Sequence, residues 1–179
     1  RAAGGFEILS DGRVVMQSAL RRSERELFNL AMVPLRDRHD ITVLLAGLGM
    51  GHLLASVLES PRVVRVDVVE HCPAIIEWNR THFGALHGDA LADPRVRVHH
   101  ADLLGFLKKH RYGQLEEDPA LPSVKDGWLC LLLDVDNGPR WLSRPQNEAL
   151  YGEEGIGRLE AALRPGGVLG VWSAERDVE

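Results

Sequence analysis

A chain of 179 residues is long enough for one domain with a sizeable apolar core and too short for two full ones. Its 45% hydrophobic and 26% charged residues are those of an ordinary globular protein and exclude collagen, coiled coil and disorder. A formal net charge of −5 gives no basic field to gather nucleic acid, and no apolar run approaches the roughly 18 residues of a membrane span, so neither is expected as a partner.

The first predicted element is a hairpin. Phe6-Glu7-Ile8-Leu9 and Val14-Val15-Met16 flank Ser10-Asp11-Gly12, and Asp-Gly readily takes the positive φ of a tight turn. Ser23 followed by Glu26 has the spacing of a capping box, with Leu27, Leu30 and Ala31 on one face behind it, which predicts a helix of about three turns ending before Pro34. Residues 1–40 therefore read as a small front unit and 41–179 as the main domain.

From residue 41 onward strands and helices alternate. Strands are predicted over 41–46, 63–70, 96–99, 129–133 and 168–172, and helices over 51–58, 74–83, 103–110 and 153–163. This order predicts an α/β fold, a Rossmann-like, doubly wound, mostly parallel sheet with helices on both faces. Pro165-Gly166-Gly167 reads as a turn before the last strand, and 112–126, rich in Pro, Gly and acids, as a surface loop. A complete sheet of this kind carries further strands after the fifth, so the chain is expected to be C-terminally incomplete. Cys72 and Cys130 have no metal or redox spacing, and no signal pattern opens the chain, which points to core thiols and a cytoplasmic location.

Gly47-Leu48-Gly49-Met50-Gly51 sits between the first long strand and its helix, where backbone N–H groups and a helix N-terminus can face a ligand. A dinucleotide fingerprint needs Gly or Ala at position 52. His52 stands there instead, which disfavours an NAD-type oxidoreductase and favours an adenosyl sulfonium ligand. Glu70 ends the second long strand, placed to accept hydrogen bonds from ribose hydroxyls. Asp102 follows the third, placed either to meet an adenine amino group or to cap the next helix. His99-His100 point to opposite faces of a strand and lack a metal-ligand partner, so no metal is expected; Trp141 and Tyr151 read more readily as packing than as pocket lining.

The residues resemble the spermidine synthase-like aminopropyltransferases, relatives of the class I S-adenosylmethionine-dependent methyltransferases. The resemblance runs through Val43-Leu44-Leu45-Ala46-Gly47-Leu48-Gly49-Met50-Gly51, Val68-Val69-Glu70-His71, Arg80-Thr81-His82-Phe83, His100-Ala101-Asp102, Leu133-Asp134-Val135-Asp136-Asn137-Gly138-Pro139 and Leu163-Arg164-Pro165-Gly166-Gly167. It implies the class I methyltransferase fold with a small N-terminal hairpin and helix, and S-adenosylmethionine or decarboxylated S-adenosylmethionine held by Gly47, Gly49, Gly51, Glu70 and Asp102. It also implies a polyamine substrate, a possible homodimer, and Asp134 as the carboxylate that deprotonates and positions an amine, with Asp136 as a second cation ligand. Such proteins usually carry Asp-Glu then Tyr-His on the front helix, where this chain has Ser23-Glu24-Arg25-Glu26-Leu27-Phe28, and a longer loop after the fourth strand. Small-molecule methyl transfer and a catalytically silent nucleotide-binding module are the alternatives.

Overall fold

The computed structural model describes residues 5–10, 12–19, 22–136, 142 and 144–174. Strands β1 (Glu7–Ser10) and β2 (Arg13–Gln17) form an antiparallel hairpin in which Ser10 pairs with Arg13, leaving the two residues of the expected tight turn between them. Gly12 has φ 76°, as that turn requires; Asp11 lies outside the described residues. Helix α1 spans Arg22–Met32.

The body is a five-stranded parallel sheet of β3 (Ile41–Ala46), β4 (Val63–Glu70), β5 (Val96–His100), β6 (Trp128–Leu133) and β7 (Leu163–Val171), in the order β5-β4-β3-β6-β7. Helices α2 (His52–Leu58), α3 (Pro73–Thr81), α4 (Gly84–His87), α5 (Leu103–Arg111), α6 (Glu148–Tyr151) and α7 (Glu153–Ala161) complete the layers. Side chains alternate along the strands, so Val43, Leu45, Val66 and Val68 join Phe28, Leu54 and Ile76 on one face, while Leu44, Ala46, Val69 and Leu131 join Phe106, Leu150 and Leu159 on the other. Both faces are covered. Hence β3 and β6 are apolar, but for Thr42, rather than alternating.

Three local expectations are corrected. Helix α1 begins at Arg22, so Ser23 sits inside the first turn with its hydroxyl on Glu24 Oε2 at 2.7 Å, instead of capping the helix toward Glu26. The buried stripe then runs through Glu24, Phe28, Ala31 and Met32, and Leu30 is 68% exposed. Pro165-Gly166-Gly167 does not precede the last strand but bulges within it: Trp128 pairs with Leu163 and Cys130 with Val168, and the Arg164 guanidinium ties the bulge to the carbonyls of Gly127 (3.0 Å) and Ser123 (2.8 Å).

Segment 112–126 has no helix or strand, as expected, yet it is anchored rather than loose. Buried Arg65 donates to Glu117 Oε2 at 3.2 Å and to the Pro122 carbonyl at 2.9 Å, and holds Asp67 through two further hydrogen bonds. Asp67 also accepts from His99 Nε2 at 2.8 Å and Trp128 Nε1 at 2.9 Å, so every group of this interior network is used.

Candidate functional site

The strand order reverses between β3 and β6, which places the crevice of such a sheet at the carboxyl ends of these two strands. The chain leaves β3 through the glycine loop. At Gly47, φ is 92° and the Asp134 carbonyl packs so closely that a Cβ has no room; the backbones leaving β3 and β6 touch there. At Gly49, φ is 52° and a Cβ would lie 2.6 Å from the methyl of Met16, whose sulfur accepts the Met50 N–H at 3.2 Å. Met16 belongs to β2. The front hairpin is therefore seated directly on the loop.

Glu70, at the tip of β4, braces that loop. Its carboxylate accepts the Leu48 N–H at 2.9 Å and the Cys72 N–H at 2.7 Å, which links the loop after β3 to the turn before α3. An ionised carboxylate offers about four acceptor positions, so two are used internally. The next tip is adjacent, since Ala101 N donates to the Glu70 carbonyl at 3.1 Å. Asp102 stands just beyond it and is the N-cap of α5, with Oδ2 accepting the Gly105 N–H at 3.0 Å. Of the two roles the sequence left open for Asp102, the capping one is present in the fold. The tips thus bring together the glycines, Glu70 and Asp102 in the expected order.

Asp134 and Asp136 follow β6 in contrasting environments. The backbone of Asp134 is fixed by its N–H to the Ala46 carbonyl at 2.9 Å. Its carboxyl is pushed up to about 7, mainly by burial and further by the negative charge of Glu24. Glu24 acts on this carboxyl from α1 and is itself only 7% exposed. Asp136, 7% exposed, is instead held by hydrogen bonds from Asn147 Nδ2 (3.0 Å, to Oδ1) and the Tyr151 hydroxyl (3.2 Å, to Oδ2). The Tyr151 phenol is raised above its ordinary value by burial, then by Asp136, with a smaller push from Asp134. Asn137, Gly138, Pro139 and Trp141, which the sequence also drew into this site, lie outside the described residues.

The arrangement offers a cluster of acids in which one, Asp134, is raised to about 7, a value suited to proton exchange near neutral pH, while Asp136 accepts from the neutral donors Asn147 and Tyr151. Sequence reading missed Glu24, although a carboxylate on the stripe shared with Phe28 and Ala31 is the signal that finds it. Met16 and Asn147 carry no such signal, because their contacts depend on how separate elements dock. Tyr151, read as packing, is both packed and hydrogen-bonded. Of the two histidines weighed for metal, His99 donates to Asp67 and lies tilted against Phe106, ring centres 4.7 Å apart, and His100 donates to the His71 carbonyl at 3.0 Å. Among the described residues no group of three or more His, Cys, Asp or Glu side chains is placed to hold a metal, and no helix is long and apolar enough to cross a membrane.

The sequence matches no family model. It is 31% identical over 175 residues to polyamine aminopropyltransferase 2 of Pseudomonas aeruginosa, an alignment covering 94% of this chain and 43% of that protein. Among solved structures, a spermidine synthase in complex with the transition-state analogue AdoDATO superposes with a TM-score of 0.63 at 18% identity, covering 90% of this chain and 48% of that one. The spermidine synthase of Thermotoga maritima gives 0.63 at 20% identity, with coverage of 90% and 47%. Human methyltransferase-like protein 13 in complex with SAH gives 0.55 at 23% identity, covering 85% of this chain and 62% of that one. The chain therefore spans less than half the length of the curated relative and of the two synthases.

Proposed function

We propose that the chain, which has the methyltransferase-like fold and resembles the aminopropyltransferases in sequence, is a spermidine synthase-like transferase that holds an adenosyl sulfonium donor at the tips of β3, β4 and β5 and presents an amine to it beside Asp134. The observation that carries this reading is the contact at Gly47, which sets the braced glycine loop directly against the backbone of Asp134. Donor site and proton-exchanging acid are thereby neighbours.

The residues suit such a donor. Glu70 keeps acceptor positions for ribose hydroxyls, and the Asp102 oxygen not engaged in the cap is available to an adenine amino group. The loop amides argue for the decarboxylated form. Gly47 N–H goes to Val69, Leu48 N–H to Glu70, Met50 N–H to Met16 and Gly51 N–H to Leu48, so these donors are committed before a donor carboxylate arrives. Glu24, Asp134 and Asp136 add a field that repels a carboxylate and attracts ammonium groups.

When bound, the donor supplies an electrophilic methylene beside its sulfonium: the amine nitrogen forms the new C–N bond, the C–S bond breaks, and its electron pair leaves with sulfur as a neutral thioether. The protein's part is the proton. A protonated amine has no lone pair to attack with; Asp134 attracts the cation, and its ionised carboxylate accepts the proton the nitrogen must shed. Burial makes Asp134 basic enough for that exchange near neutral pH.

Calorimetry with decarboxylated S-adenosylmethionine, S-adenosylmethionine and methylthioadenosine, followed by mass analysis of putrescine incubated with each donor, tests the reading. The expected result is tighter binding of the decarboxylated donor than of S-adenosylmethionine, and aminopropyl transfer that Asp134→Asn abolishes while leaving nucleotide affinity nearly intact. Methyl transfer from S-adenosylmethionine supports the methyltransferase alternative, and binding without turnover the silent module.

A further inference from the structure

Tyr151 donates its only proton to Asp136 at 3.2 Å, and the other Asp136 oxygen is taken by Asn147 at 3.0 Å. Both donors come from one short stretch: Asn147 ends the 3-10 turn over Pro145–Asn147, and Tyr151 ends α6. A phenol that has given its proton away still has oxygen lone pairs, and these can only accept. The ring is half-buried against the apolar cluster that contains Leu133 and Leu150, and the charge of Asp134 acts on the phenol as well as that of Asp136. The phenol oxygen therefore rests on Asp136, two residues along the chain from Asp134, with acceptor capacity alone.

We infer that Tyr151 is an amine-positioning residue of this site: Asp136 holds its hydroxyl proton, and the phenol oxygen accepts an N–H of a primary amine whose nitrogen lies against Asp134. The inference rests on the proposed function. A nitrogen anchored to one carboxylate still rotates about that contact, so its lone pair points in many directions. A second acceptor fixes two N–H directions and leaves the lone pair a single direction for in-line attack. On this view Asp136 is not itself a cation ligand; it orients the phenol, and Asn147 holds Asp136 in turn.

The competing account is that Tyr151 merely helps Asn147 hold Asp136 in place. Two variants separate them. Tyr151→Phe keeps the ring and removes the oxygen, whereas Asn147→Leu removes a donor to Asp136 and leaves the phenol in place. Putrescine is titrated into each variant saturated with methylthioadenosine, with melting temperature and nucleotide affinity measured alongside, and kcat and KM for putrescine are measured with the decarboxylated donor. Tyr151→Phe is expected to weaken putrescine binding about tenfold and to lower kcat further, with nucleotide affinity within twofold of wild type, while Asn147→Leu changes putrescine binding less than threefold. Equal effects of the two variants, or wild-type putrescine affinity in Tyr151→Phe, overturn the inference and leave the transferase reading standing. Wild-type protein that binds the nucleotide but no putrescine overturns that reading, and this inference with it.

Discussion

The Glu70 carboxylate receives N–H groups from Leu48 and Cys72, 2.9 and 2.7 Å away, before any ligand is present. It therefore has two effects to lose, the order of the glycine loop and its remaining acceptor capacity. Hydrogen bonds to a charged group contribute roughly 1.5–3 kcal/mol each, so Glu70→Ala is expected to weaken adenosyl binding by at least about 1.5 kcal/mol and to speed amide exchange at Leu48. Calorimetry and hydrogen exchange read these separately; an unchanged nucleotide affinity removes Glu70 from the site. That Glu70 ends a strand was legible in the sequence, because strand period and turn chemistry are local. That its oxygens point back at the loop was not, because this contact joins residues 22 apart in sequence. Asp102 is the opposite case: its cap is a local feature, and the spacing to Gly105 shows it plainly.

At the scale of elements, the boundaries of β3 and β4 could be read directly, since each is rich in β-branched residues and ended by turn residues, even though Arg65 and Asp67 interrupt β4. The four-residue helices α4 and α6 escaped because so short a segment has no period to detect, and α6 is the one that delivers Tyr151. The Pro-Gly-Gly bulge in β7 escaped because turn residues look alike whether the chain reverses or merely kinks. What the hairpin does could not be read from its own residues either. Its strands pair with each other and not with the main sheet, and it reaches the body through Met16 on the glycine loop and Phe6, whose ring meets Phe83 at 5.1 Å. Gly49→Ala tests this seating. The new Cβ runs into the Met16 methyl, and the left-handed backbone costs an L residue roughly 1–2 kcal/mol, so Met16 is expected to swing off and expose the Met50 amide. Hydrogen exchange at Met50 should rise sharply; exchange as slow as in wild type shows that the hairpin is held by other contacts.

For the molecule as a whole, two carboxyls set opposing limbs of the stability profile. Burial alone would raise Asp67, but hydrogen bonds from His99, Arg65 and Trp128 outweigh it and hold the carboxyl below its usual range. Stability from Asp67 is therefore present above the ordinary carboxylate range near pH 4 and is lost as pH falls below it. Asp134 has the opposite sign. Burial and Glu24 raise it to about 7, so between about pH 4 and 7 the folded chain keeps a proton that the unfolded chain releases. The unfolded state binds fewer protons there, and stability must fall as pH rises across that window, then level off above it. Ionising Asp134 in the ligand-free protein is thus expected to cost stability at neutral pH, on the scale of a few kcal/mol. Melting temperatures of wild type and Asp134→Asn from pH 4.5 to 8.5 isolate the effect, because the other groups cancel in the difference. The variant is expected to gain on the wild type steadily up to about pH 7 and to hold a constant advantage beyond it. A saturating diamine should erase much of that advantage, since a cation beside Asp134 stabilises its ionised form. Parallel curves for the two proteins would mean that Asp134 is ionised without cost, and the case for it as the proton acceptor would fall with the slope.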